Sequence, residues 1–176
     1  MSTPSEPQPM PGPPNPGPIP VMARMLLDDI TFESCRKTVL DANPDMAADL
    51  AGQIVDEGLK FVAACATNPG VPLAPSRIVD EGWHALILHT AAYAQLCAEL
   101  GAADGFVHHY PGADPTNWDP EIIDRTRASI RALGYEDDAE LWGPPSDETL
   151  ASVAASCQHS GDCTIIITPK KPGGVV

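Results

Sequence analysis

Apolar side chains recur at spacings of three and four through most of the chain, in stretches rich in Ala, Leu, Glu and Asp that end at Pro or Gly. Alternation of β-branched residues is scarce before the C-terminal segment. The pattern predicts an all-α fold, a compact helical single domain. A first helix is expected over about 31–42, with Asp28 or Asp29 near its start and Asn43-Pro44 at its end. Asn43 can also cap a second helix that takes Pro44 at its first position. That helix carries Leu50, Ile54, Phe61 and Cys65 along one side until Asn68-Pro69-Gly70 stops it.

Ser76 opens a third and longer helix that the pattern carries unbroken to Leu100, with Gly101 as the stop. Val79, Trp83, Leu86, Thr90, Tyr93, Cys97 and Leu100 alternate spacings of four and three along it, which is a core-facing stripe. A loop over 112–119 leads to a helix over 120–133 that buries Ile122, Ile123, Ile130 and Leu133 and ends at Gly134. A helical turn over 137–142 parks Leu141 and Trp142 on the body, and a further helix over 146–156 takes Ser146 or Asp147 as its cap.

Composition then sets the limits of the packed body. Residues 1–20 hold nine of the twenty prolines and few large apolar side chains, so they cannot bury enough surface to offset the entropy of ordering. Residues 1–24 are therefore expected as a disordered Pro-rich tail, residues 25–156 as the helical domain, and residues 157–176 as a flexible Cys-containing tail. The opening segment lacks the charged start and apolar run of a secretory signal, and no stretch of the chain is apolar for long enough to span a bilayer. A cytoplasmic protein with no membrane partner is the expectation.

With 24 acidic against 10 basic side chains, the formal charge of -14 repels phosphate backbones, which argues against a nucleic-acid partner. Of the five cysteines, Cys35, Cys65 and Cys97 fall inside helical patterns and read as buried reduced thiols. Cys157 and Cys163 flank His159, a spacing open to a small disulfide loop, a partial metal site or a chemically idle tail. The Ile165-Ile166-Ile167 run that follows is β-prone and suited to adding as an edge strand to a protein partner.

The chemistry is concentrated between Val79 and Pro111, which holds four of the five histidines. Asp80 and His84 are one helical turn apart and share a face, whereas His89 points about 140° away from His84. His89 is expected as a partly exposed surface residue. Adjacent residues of an extended segment point to opposite sides, so only one of His108 and His109 can meet the helix; His109, beside Val107 and Tyr110-Pro111, is favoured over His108. Asp80 and His84 with His109 or His108 would form a two-nitrogen, one-oxygen set for a divalent transition metal such as Zn or Fe, with open coordination positions. The same residues also suit a metal-free arrangement in which Asp80 accepts a hydrogen bond from His84 and fixes its tautomer. Trp83, Phe106, Tyr110 and Trp118 suit either the core or the wall of a small-molecule pocket. Glu57 and Lys60, three apart, have the ordinary reading of an exposed pair.

No Ser or Cys sits in a Gly-flanked elbow, and the glycines are too scattered for a phosphate-binding loop. Pro75-Ser76, Val79-Asp80, Trp83-His84, Tyr93, Cys97, His108-His109-Tyr110-Pro111 and Leu141-Trp142 together resemble the glycine-rich domain-containing protein-like family, over about residues 26–143. That resemblance implies a helical fold and no settled activity. It also implies that Glu57, matching an acidic position on the preceding helix, approaches His84 as a fourth oxygen ligand or as a hydrogen-bond acceptor behind it. The family commonly has a further His two positions after the Trp-His pair; this chain has Leu86 there and His89 three residues later. The leading functional expectation is thus a helical protein with a His/Asp metal or small-ligand site. A metal-dependent enzyme using the same residues is one alternative, and an adaptor acting through its tails is another.

Overall fold

In the computed structural model, which describes residues 22–109 and 119–143, the helix α2 (Ala48–Thr67) is the axis around which the rest is built. Ile54, Val55, Leu59, Phe61, Val62, Ala63 and Ala64 are all fully buried, and no residue from Ile54 to Thr67 is more than partly open to solvent, as expected for a central helix. α1 (Asp29–Ala42), α3 (Arg77–Leu88) and α5 (Ile122–Ala132) pack against it, with α3 the main neighbour. α4 (Thr90–Glu99) follows α3 directly, and the four-residue α6 (Ala139–Trp142) docks on α3. No strand occurs among the described residues. The expected all-α fold is what the chain adopts.

The packing of α2 on α3 depends on two glycines. A Cβ on Gly82 would overlap the Ile54 carbonyl of α2, and one on Gly58 would stand 3.0 Å from the backbone of Gly82 and Trp83. The two helices therefore meet backbone to backbone. This close approach seats Trp83 against Phe61, edge to face at 4.9 Å between ring centroids.

The boundaries differ from the sequence expectation in three places, each for an identifiable reason. Ala23–Leu26 forms a 3-10 turn with Ala23 buried in the core, so Ala23 and Arg24 belong to the folded body and not to the expected tail. Asn43 ends α1 and does not begin α2: its Nδ2 donates to the Val39 carbonyl at 2.9 Å, and a turn follows that buries Met46 before α2 starts at Ala48. The long third helix is broken at His89, whose backbone leaves helical geometry with φ -87° and ψ 58°. Its Nε2 lies 3.0 Å from the Thr38 hydroxyl of α1, and Thr90, expected on the buried stripe, is exposed at the start of α4. The other six stripe residues are buried.

Side-chain caps tie the elements together. Asp28 accepts from the Thr31 amide and hydroxyl at the start of α1. Ser76 accepts from the Val79 amide at 3.1 Å and donates to the Leu141 carbonyl of α6. Thr126 of α5 donates to Ile122 and accepts from the buried amide of Ala74, which fixes the loop leading into α3. Ile122 and Ile130 are buried as expected, with Ile123 and Leu133 partly so. Tyr110, Trp118, the tails, most of the 112–119 loop and the expected 146–156 helix lie outside the described residues.

Candidate metal centre

Because Ser76 sets the start of α3, Asp80 falls in its first turn, where a carboxylate is favoured by the helix dipole, and His84 stands one turn further along the same face. Asp80 is buried, 7 % exposed, and His84 is half open to solvent. The segment after α4 brings His109 to the same point. The carboxylate is shared between the two imidazoles: Asp80 Oδ2 lies 3.4 Å from His84 Nδ1, and Oδ1 lies 3.5 Å from His109 Nε2. The two rings are 4.6 Å apart between centroids, and one ligand atom from each of the three residues falls within 4.8 Å of the others.

Those separations bear on the two sequence readings. An N–H···O bond holds its heavy atoms at about 2.7–3.2 Å, shorter than either contact. Asp80 Oδ1 and His109 Nε2 are both buried, and neither has a hydrogen-bond partner among the described residues. Leaving two such atoms unsatisfied side by side is unfavourable. Ligands about 2.0–2.1 Å from a tetrahedral metal are themselves separated by about 3.4 Å; each imidazole nitrogen stands at about that distance from one Asp80 oxygen, and the three ligand atoms lie within 4.8 Å of one another. The donor set of two nitrogens and one oxygen suits a divalent transition metal and leaves at least one position free for a further ligand.

His109 is held in place by Trp83, which the sequence left open between core and pocket wall, and by Tyr93 and Cys97, expected only on the core-facing stripe. Its ring packs against Trp83 at 4.6 Å between centroids. Trp83 Nε1 donates to Tyr93 Oη at 2.8 Å, and since indole N–H can only donate, the Tyr93 hydroxyl is left to donate to the Val107 carbonyl at 2.7 Å. The Val107 amide in turn donates to Cys97 Sγ at 3.5 Å. Burial pushes the Tyr93 phenol well above its ordinary range, which keeps it protonated as this chain of bonds requires. The heptad-like spacing of Trp83, Tyr93 and Cys97 was visible as a stripe, but no signal in the sequence showed that two of its members bond Val107.

The other candidates stand elsewhere. His108, the alternative to His109, is exposed with its ring beside Phe106 at 5.1 Å and does not join the cluster. His89 is partly exposed and bound to Thr38. Glu57 is not in the cluster either, and it is not half of an exposed pair. It is 2 % exposed, with Oε2 accepting from Trp142 Nε1 at 2.6 Å and Oε1 accepting from the Asp138 amide and from Lys60 Nζ. Both oxygens are thus committed to holding α6 on α2. Burial acts to lower the Lys60 ammonium, and Glu57 and Asp56 outweigh it and hold it above its ordinary value. Glu57, Asp56 and Lys60 border a cleft of about 980 Å³ that reaches to Arg24, Arg36 and Asp137, and none of the three clustered ligands lines it.

The chain belongs to the UCP032817-like family, whose profile matches residues 23–117, more than half of its length. The match runs from the 3-10 turn past α4 and includes Asp80, His84 and His109. It replaces the resemblance to the glycine-rich domain-containing protein-like family, which the match overturns: the shared Trp-His and His-His pairs are short motifs, and short motifs recur outside one family. No curated protein and no solved structure matches the chain. No helix among the described residues is long and apolar enough to cross a membrane.

Proposed function

We propose that this protein binds a divalent transition metal, Zn or Fe, through the Asp80 carboxylate, His84 Nδ1 and His109 Nε2. The observation that supports this reading best is the pair of buried atoms, Asp80 Oδ1 and His109 Nε2, facing each other at 3.5 Å with no hydrogen-bond partner. A cation placed between the three side chains satisfies both atoms at once and draws His84 in from the solvent side. Three protein ligands are one short of a closed structural zinc site, so the metal keeps a position for a further ligand. That count favours a metal-dependent enzyme as the second reading, with the open position taken by water or substrate on the side where His84 is exposed.

Elemental analysis of untagged protein tests the proposal. Near-stoichiometric metal is expected, with loss in His84→Ala and in His109→Ala and retention in His108→Ala and Glu57→Gln. Protein that takes up no metal after incubation with Zn²⁺ or Fe²⁺ and dialysis would overturn it.

A further inference from the structure

Tyr93 and Cys97 are four residues apart on α4 and so present side chains to the same side. Both reach the peptide of one residue, Val107: the Tyr93 hydroxyl donates to its carbonyl at 2.7 Å, and the Cys97 sulfur accepts from its amide at 3.5 Å. Val107 is buried, and its two polar backbone groups are thereby gripped from the same helix. His109 follows two residues on, its ring against Trp83, which is itself bonded to Tyr93.

The break at His89 is what makes this grip attainable. In one straight helix, residues 83 and 93 would stand about 15 Å apart along the axis, with side chains leaning toward the N-terminus, so that Trp83 would point away from Tyr93. The observed 2.8 Å bond between Trp83 Nε1 and Tyr93 Oη needs α4 to turn away from the line of α3. The Thr38–His89 contact sits at that turn.

We propose that Tyr93 and Cys97 form a clamp on the Val107 peptide that positions His109 for the metal, an inference that rests on the metal reading of Asp80, His84 and His109. Tyr93 is then a positioning residue of the site: it touches no ligand atom, yet it sets where the His109 nitrogen stands. Groups that orient a metal ligand in this way change affinity by about 10–100-fold when removed.

Two readouts test the clamp. The first needs no metal: the ring-proton shifts of His109 in protein carrying ¹³C-labelled histidine report its packing on the Trp83 face. In the wild type these protons are expected to be displaced by the indole ring current, and in Tyr93→Phe and Cys97→Ala to move toward the positions of a free imidazole. Cys97→Ser, which keeps an acceptor for the Val107 amide, is expected to stay near the wild type. Ile130→Val, which weakens the core on α5 without touching the clamp, should leave the His109 shifts unchanged.

The second readout is Co²⁺ titration followed by its visible absorption. Tyr93→Phe is expected to raise the Kd by ~10–100-fold and to alter the spectrum, whereas Ile130→Val alters neither. His109 shifts that are identical in wild type and Tyr93→Phe would overturn the clamp, and so would a Co²⁺ affinity and spectrum that Tyr93→Phe leaves intact. Wild-type protein that binds no Co²⁺ would overturn the metal reading, and with it the clamp's role at a metal; the histidine shifts would then still show whether the grip on Val107 exists.

Discussion

Trp142 Nε1 donates to Glu57 Oε2 across 85 positions of sequence, at 2.6 Å and out of contact with water. Removing the carboxylate orphans the Trp142 indole and the Asp138 amide and leaves the Lys60 ammonium with Asp56 alone. Glu57→Ala is therefore expected to destabilise the fold by about 2–6 kcal/mol, about 1–3 kcal/mol for each of the two donors left unsatisfied. Metal content per folded molecule should not change. Denaturant unfolding beside elemental analysis checks both halves.

Gly82→Ala tests the backbone contact between α2 and α3. The obstructing atom is the Ile54 carbonyl, which is part of a helix and cannot swing aside. The loss is expected at the upper end of the about 1–3 kcal/mol typical of overpacking, read as a fall in the denaturation midpoint with an unchanged m-value. Gly52→Ala, where the added carbon would meet only the Arg36 side chain at 3.5 Å, is the tolerated control.

Metal should stabilise the folded chain by mass action. At a Zn²⁺ concentration one hundred times its Kd the gain is about 2.7 kcal/mol, visible as a rise in Tm that a chelator reverses. Asp80→Ala, His84→Ala and His109→Ala are each expected to abolish the rise. A rise that survives in all three would place the metal elsewhere.

Acid should weaken one particular tie. Burial acts to raise the Asp137 carboxyl, but Arg131 and Arg127 outweigh it and hold it below the ordinary 3.8. A carboxyl depressed on folding contributes stability that is present above its unfolded pKa and lost as pH falls through the folded one. Wild type should thus exceed Asp137→Asn in stability at neutral pH, and the gap should close as pH falls below 3.8. Urea unfolding of both proteins from pH 6 down to acid measures it. A gap that is constant over that range would mean the two arginine contacts add nothing to stability.

The thiols of the body should be inert while it is folded. Burial, with a smaller contribution from Asp28, pushes Cys35 up to about 11, and burial also raises Cys65 and Cys97. Little thiolate is then present at neutral pH. Alkylation followed by peptide mapping should leave Cys35, Cys65 and Cys97 unlabelled in native protein and label them in denaturant.

The helical class was legible because the apolar period held from α1 to α5, and the Asp80–His84 pair was legible because one helical turn fixes two side chains on one face. Parity along an extended segment limited the helix to one of His108 and His109 without saying which. What stayed hidden depended on partners far along the chain. Asn43-Pro44 satisfies the chemistry of a helix end and of a helix start equally, and only the burial of Met46 decides between them. The break at His89 leaves the apolar period intact on both sides, and the Thr38 hydroxyl at the break lies 51 residues back. Glu57 looked like one half of an exposed pair because its other partners are 81 and 85 residues downstream.

His84 and His109, the two nitrogen ligands proposed here, stand 25 residues apart, with the whole of α4 between them. An ion gripping both would staple shut a single loop, lowering the freedom of just that stretch by an amount that grows only slowly with its length. The hairpin of α3 and α4 would then be fastened locally, while α5 and α6 remained free to come away from the body without opening the staple.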